Sequence, residues 1–313
     1  MPLNSIEICA GAGGQALGLE QAGFSHVALV EIEPPACATL RLNRPKWNVI
    51  EGDVHSFSAE PYKGTADLLA GGVPCPPFSV AGKQLGSADE RDLFPEALRL
   101  ISECEPRAVM IENVRGIFYP KFDEYRSTIL EHLHKMGYKT WWNLIQASDY
   151  GVSQLRSRAL LVGIKEPWAS AFVWPKPVPG EVLTVGELLR ANMAANGWEG
   201  ADAWAERACS IAPTLVGGSK KHGGADLGQT RARKAWAALG VDGAGVVDEA
   251  PAPGFEGMPR LTVGMAALIQ GFPMDWKFSG KKTAAYRQVG NAFPPPVAKA
   301  VGIAIKEALN VGN

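Results

Sequence analysis

Seven short apolar runs punctuate the first half of the chain: SIEICA (5–10), HVALVEIE (26–33), WNVIEGD (47–53), ADLLAGG (66–72), RAVMIENV (107–114), TWWNLIQASDYG (140–151) and ALLVGI (159–164). Bounded by glycine and polar residues, these runs predict strands. Between them QALGLEQAG (15–23), DLFPEALRLISE (92–103) and FDEYRSTILEHLHKMG (122–137) have the spacing of amphipathic helices. Strand–helix alternation predicts an α/β fold, a mostly parallel, doubly wound sheet with helices on both faces. Functional residues in such a sheet belong at the carboxyl ends of its strands. From about residue 165 the alternation dissolves, and prolines and glycines crowd 167–180 and 239–260. We therefore expect a first domain over 1–171, a small loop-rich domain over 172–258, and a return segment over 259–313 with helices in 262–272 and 296–309.

The stretch EICAGAGGQALG (7–18) reads as strand, glycine loop and helix. Gly11, Gly13 and Gly14 let backbone amides approach a ligand at a helix N-terminus. Glu31 ends the second strand, where an acid commonly accepts from ribose hydroxyls, and Asp53 ends the third, placed to accept from an adenine amino group. A tight strand–helix turn with two surface acids is the plainer alternative. Gly11-x-Gly13-x-x-Ala16 also satisfies the dinucleotide pattern, so the loop alone does not separate NAD from S-adenosylmethionine.

The stretch GGVPCPPFS (71–79) holds one cysteine, Cys75, in a stiff frame. Pro74, Pro76 and Pro77 fix three φ angles and remove three amide donors. One strand on, Glu112 sits at a neighbouring carboxyl end, where burial would raise its pKa and let it donate a proton. Arg156 and Arg158 in QLRSR (154–158) are spaced for one side of an extended segment. Each feature has an ordinary explanation by itself. Their arrival at successive strand ends is what points to catalysis.

Composition narrows the partners little. The 313 residues carry a net charge of −1, so a polyanion would have to meet a local patch. Residues 212–236 supply one: Lys220, Lys221, Arg231, Arg233 and Lys234 stand against the single acid Asp226. Five widely spaced cysteines with no CxxC argue against disulfides and against a metal site. No membrane span or signal peptide is expected, which places the protein in the cytoplasm, on the nucleoid if it binds DNA.

In their order, EICAGAGGQALGLEQAGF, GGVPCPPFSVAGKQ, ENVRGIF, DYGVSQLRSR, RLTVGMAALIQGFP and YRQVGNAFPPPVA resemble the motifs of bacterial-type DNA (cytosine-5) methyltransferases, from residue 5 to about 305. The resemblance implies a Rossmann-like, S-adenosylmethionine-dependent methyltransferase fold with a small target-recognition domain over 172–258. It implies methyl transfer to C5 of a flipped-out cytosine in a specific duplex sequence through a covalent adduct between Cys75 and C6. Cys75 becomes the nucleophile, Glu112 the acid and Arg158 the pyrimidine-positioning arginine, with Arg156 beside it in the catalytic set. The cofactor set becomes Cys9, Ala10, Gly11, Ala12, Gly13, Gly14, Glu31, Ile32, Asp53, Val54, Gly72, Pro74, Asn291 and Ala292. Ser79, Lys83 and Arg91 fall in a loop that closes over DNA, and Thr214, Lys220, Lys221, Arg231 and Arg233 in the recognition region.

Three positions depart from the family: Cys9 replaces Phe, Pro76 replaces Gln, and Glu7 replaces a common Asp. The resemblance implies a monomer acting on double-stranded DNA, with a possible companion restriction endonuclease. A tRNA cytosine-5 methyltransferase is the nearest alternative. A nucleotide-dependent oxidoreductase is a distant one, because it assigns no task to Cys75, Glu112 or Arg158.

Overall fold

The computed structural model describes residues 3–74, 92–178, 180–217 and 224–311. All seven apolar runs form strands: β1 (Leu3–Ile8), β2 (Phe24–Glu31), β3 (Val49–Glu51), β4 (Leu68–Gly72), β5 (Ala108–Val114), β6 (Tyr138–Gln146) and β7 (Ser157–Lys165). They make one sheet in the order β3-β2-β1-β4-β5-β7-β6. The first five run parallel, and β7 is antiparallel to both β5 and β6. Progress across the sheet reverses between β1 and β4. Their carboxyl ends therefore border the crevice where ligands bind in such sheets.

Ten α-helices are described: α1 (Gly14–Ala22), α2 (Pro34–Asn43), α3 (Phe94–Cys104), α4 (Asp123–Lys135), α5 (Val185–Met193), α6 (Ala201–Arg207), α7 (Thr230–Ala238), α8 (Val263–Ile269), α9 (Lys282–Asn291) and α10 (Pro295–Asn310). Strand alternation sorts apolar side chains onto two faces. Leu68, Ala70, Met110, Leu160 and Val162 join the core under α1 and α10. Their neighbours Leu69, Val109, Ile111, Ala159 and Leu161 join the core under α3 and α4. Helix α10 brings the chain's end back onto α1. At Gly18 a Cβ would lie 2.4 Å from the Pro295 carbonyl oxygen and 2.5 Å from Ala298 Cβ, so only glycine allows this approach.

The region after residue 172 is more helical than expected. α5 opens with a capping box, Thr184 and Glu187 each bonding the other's backbone amide, a signal that its Pro/Gly-rich surroundings hide. The buried rings of Trp198, Trp204 and Trp236 gather α5, α6 and α7 around one core. That core continues past residue 258 through Leu261, Ile269, Trp276 and Tyr286. The return segment thus packs with α5, α6 and α7, here called the second lobe, as well as with the sheet. Among the described residues no helix is long and apolar enough to cross a membrane.

Candidate active site

Three residues of the loop after β1 have positive φ: Cys9 at 52°, Gly11 at 54° and Gly13 at 82°. A side chain is costly in that region, so Cys9 is held there by its surroundings. Gly13 caps α1 with no side-chain hydrogen bond, leaving the helix N-terminus served by backbone alone. At the end of β2 the Glu31 carboxylate accepts from Gly11 N at 2.7 Å and Glu33 N at 2.8 Å. Burial raises its pKa, and these amides only partly offset that.

The same edge carries a second acid. Glu112 lies on β5 opposite Gly72 of β4, and a Cβ at Gly72 would come within 3.2 Å of Glu112 Oε2. Arg158 sits opposite Val114, diagonal to Glu112 across the antiparallel pair. Its Nε donates to Glu112 Oε1 at 2.8 Å. Burial pushes the Glu112 pKa up despite Arg158 and Arg156, and pulls the Arg158 pKa down. Between them Asn113, buried, donates to the Val73 carbonyl at 3.2 Å and so braces the strand end two residues before Cys75. Sequence reasoning gave Asn113 no task, although it stands inside ENV.

A cavity of about 530 Å³, within the range of small-molecule sites, joins the glycine loop and Glu31 to Gly72 and Glu112. Of the residues named from the sequence, Cys9, Ala10, Gly11, Ala12, Gly14, Glu31, Gly72, Glu112, Asn291 and Ala292 line it. Helix α9 adds Ala284, Arg287 and Gln288, which with Asn291 form a stripe of helical spacing. Glu7, Gln15 and Glu33 also line it and were not anticipated as ligand contacts. Glu7 Oε2 and both amide atoms of Gln15 are buried without hydrogen-bond partners. Burial drives the Glu7 pKa well above its usual value.

Other expected residues stand elsewhere. Gly13, Ile32, Asp53, Val54 and Pro74 do not line this cavity. Gly13 faces Leu40 and Trp276, Ile32 is exposed, and Val54 is buried in the core beside α3. The Asp53 carboxylate accepts from His55 N at 3.0 Å and pairs with His55 Nδ1 at 2.7 Å, so in this structure it caps a turn. Arg156 differs most from expectation. It is fully buried, and its guanidinium is committed to the carbonyls of Leu215, Gly290 and Ala292 rather than turned into the cavity. It lies just before β7, where the strand's alternation does not yet govern side-chain direction.

Arg233 is also committed, to Asp226 at 3.0 Å and the Gly228 carbonyl at 2.9 Å, and the Thr214 hydroxyl donates to the Leu155 carbonyl. Arg231 is exposed on α7. Cys75, Ser79, Lys83, Arg91, Lys220 and Lys221 lie outside the described residues.

The profile of the C-5 cytosine-specific DNA methylase family matches residues 3–307. The chain belongs to that family. It is 58% identical to the type II methyltransferase M.NgoMIV of Neisseria gonorrhoeae, over the whole of both chains. With M.NaeI of Lentzea aerocolonigenes, also a type II methyltransferase, identity is 57% over 99% of this chain and 76% of that protein. Among solved structures, the S. pombe Dnmt2 methyltransferase shares the fold at TM-score 0.69 and 18% identity, over 98% and 99% of the two chains. The Entamoeba histolytica methyltransferase EhMeth does so at 0.68 and 14%, over 99% of each.

The chain is thus a DNA (cytosine-5) methyltransferase, and its cofactor is S-adenosylmethionine. The methylase's cavity fits that cofactor. Four acids and one arginine, Arg287, line it among the described residues, suiting a ligand whose sulfonium and ammonium outnumber its carboxylate. The unpartnered Glu7 and Gln15 atoms await polar groups of a ligand. The oxidoreductase alternative falls with this assignment.

Proposed function

We propose that this methylase is the modification enzyme of a type II restriction–modification pair, acting as a monomer in the cytoplasm on one cytosine within a specific duplex sequence. The type II methyltransferases it resembles over the full chain support that reading. The observation that carries the chemistry is that one continuous cavity runs from Glu31 at the cofactor loop to Glu112 at the β5 end. Glycine loop, Glu31 and Asn291 would hold S-adenosylmethionine there, which supplies an electrophilic methyl group.

A cytosine inside a duplex cannot enter this cavity, so the base flips out. Cytosine C5 is a weak nucleophile until electron density is pushed onto it. The Cys75 thiolate adds to C6, and Glu112 protonates or hydrogen-bonds N3 as that bond forms. Arg158 orients the Glu112 carboxyl and positions the pyrimidine. After methylation, the C5 proton leaves to a water or hydroxide and the Cys75–C6 bond breaks, restoring the thiolate. Sequence choice belongs to the second lobe, where Lys220, Lys221 and Arg231 are the cationic contacts and Arg233 must leave Asp226 to join them. Ser79, Lys83 and Arg91 belong to the closing loop.

Transfer of labelled methyl groups to duplex DNA and to tRNA tests the substrate; preferred labelling of tRNA would overturn the DNA reading. Cys75→Ser should abolish methylation while S-adenosylhomocysteine still binds, because a serine hydroxyl is far less ionised than a thiol. Near-normal turnover by that variant would sink the nucleophile assignment.

A further inference from the structure

Arg156 lies two residues from the catalytic Arg158, yet it faces a junction of two backbone segments. Its Nη1 donates to the Leu215 carbonyl at 2.9 Å; Nη2 donates to those of Gly290 at 2.9 Å and Ala292 at 3.0 Å. Gln154 supports it: its Oε1 accepts from Leu215 N at 2.9 Å, and its Nε2 donates to Gln270 Oε1 at 2.7 Å. Gln270 in turn donates to the Ala292 carbonyl. All three side chains are fully buried.

The two segments so joined also touch directly. A Cβ on Gly290 would lie 2.4 Å from Gly217 N, and one on Gly217 would lie 2.3 Å from Asn291 Oδ1. Leu215 and Gly217 are the root of the lysine-bearing segment of the second lobe. Gly290 and Ala292 flank Asn291 in the cofactor cavity.

A buried cation held by carbonyls is a poor device for stability alone, since an apolar side chain of similar size avoids the desolvation cost. Its directional bonds do something packing cannot: they hold three strands of chain in one register. We propose that Arg156 is a positioning residue that clamps the recognition segment to the cofactor turn, so that duplex and cofactor strengthen each other's binding. The proposal rests on the reading that the second lobe grips DNA. Pairing of the Arg156 charge with carbonyls rather than with a carboxylate also leaves Glu112 to Arg158.

Calorimetry of S-adenosylhomocysteine with the whole enzyme, alone and with a saturating oligonucleotide duplex that the enzyme methylates, tests the clamp. Wild type should bind S-adenosylhomocysteine about tenfold more tightly with the duplex, and the duplex should gain the same factor from S-adenosylhomocysteine. Arg156→Lys, which keeps the charge but cannot span three carbonyls, should reduce that ratio to about two, and Arg156→Met to about one, with duplex-free affinity within threefold of wild type. Gln154→Met, which loosens the junction without touching the charge, should lower the ratio as well if the arginine variants fail to fold. A ratio near one in wild type, or an unchanged ratio in folded variants, overturns the proposal. Duplex binding that ignores alanine at Lys220, Lys221 and Arg231 would instead overturn the second-lobe reading while leaving the coupling ratio measurable.

Discussion

The two ends of the cavity handle buried acid in opposite ways. At the chemical end Glu112 meets Arg158 at 2.8 Å, so its carboxyl is held by a basic side chain of the protein itself. At the cofactor end Glu31 rests on backbone amides, Glu7 keeps one oxygen without a partner, and among the described residues neither pairs with a basic side chain. The first end is preorganised, because its acid is oriented before any base arrives. The second is left acidic for a ligand that brings positive charge. One cavity thus holds a closed electrostatic unit beside an open one.

Breaking the closed unit should have the largest effect. Glu112→Gln removes the proposed proton donor and leaves Arg158 buried without its charged partner; methylation should fall by about a hundred- to ten-thousandfold. S-adenosylhomocysteine affinity should change little, as direct titration would show. Equal losses in both would mean the two ends are not separable.

The open end should respond in binding. Glu31→Ala should weaken S-adenosylhomocysteine by about 1–3 kcal/mol, the scale of hydrogen bonds to a charged group. Isothermal titration checks this, and an unchanged affinity would remove Glu31 from the cofactor set.

The smallest effect sharpens the comparison through pH. Burial raises the Glu7 pKa, so the folded state holds that proton more tightly than the unfolded state. The stability this contributes is fully present below the ordinary glutamate value of 4.5 and is lost as pH rises through the folded pKa. Glu7→Gln should therefore flatten this loss and stabilise the ligand-free enzyme at neutral pH, within the usual range of about 0.5–3 kcal/mol for a single substitution. Urea titrations at pH 4, 5.5 and 7 would show the two proteins converging at the acid end. A constant difference across the series would mean Glu7 is not the titrating group.

Much of this site was legible because its residues follow strand ends. Short apolar runs place Glu31, Gly72 and Glu112 at one edge, and the glycine spacing marks the loop between β1 and α1. Asn113 and Gln15 lay within quoted motifs, but their roles depend on what faces them: the Val73 carbonyl for one, the open cavity for the other. The helices of the second lobe were hidden because their short apolar stretches find partners only across distant chain, as Trp204 does with the Gly240 carbonyl.

The sequence by itself determined the sheet, the edge that carries chemistry and the family, since alternation, glycine loops and motif order are local properties of the chain. Tertiary structure decided how Arg156 and Arg158 divide their work. Both are arginines two positions apart, and nothing local distinguishes them. Arg158 lies within β7, whose pairing with β5 delivers it to Glu112. Arg156 lies before the strand begins, where Leu215, Gly290 and Ala292 arrive from distant parts of the chain with carbonyls to satisfy. A guanidinium takes the partners that the fold brings within reach, and only the folded chain brings them.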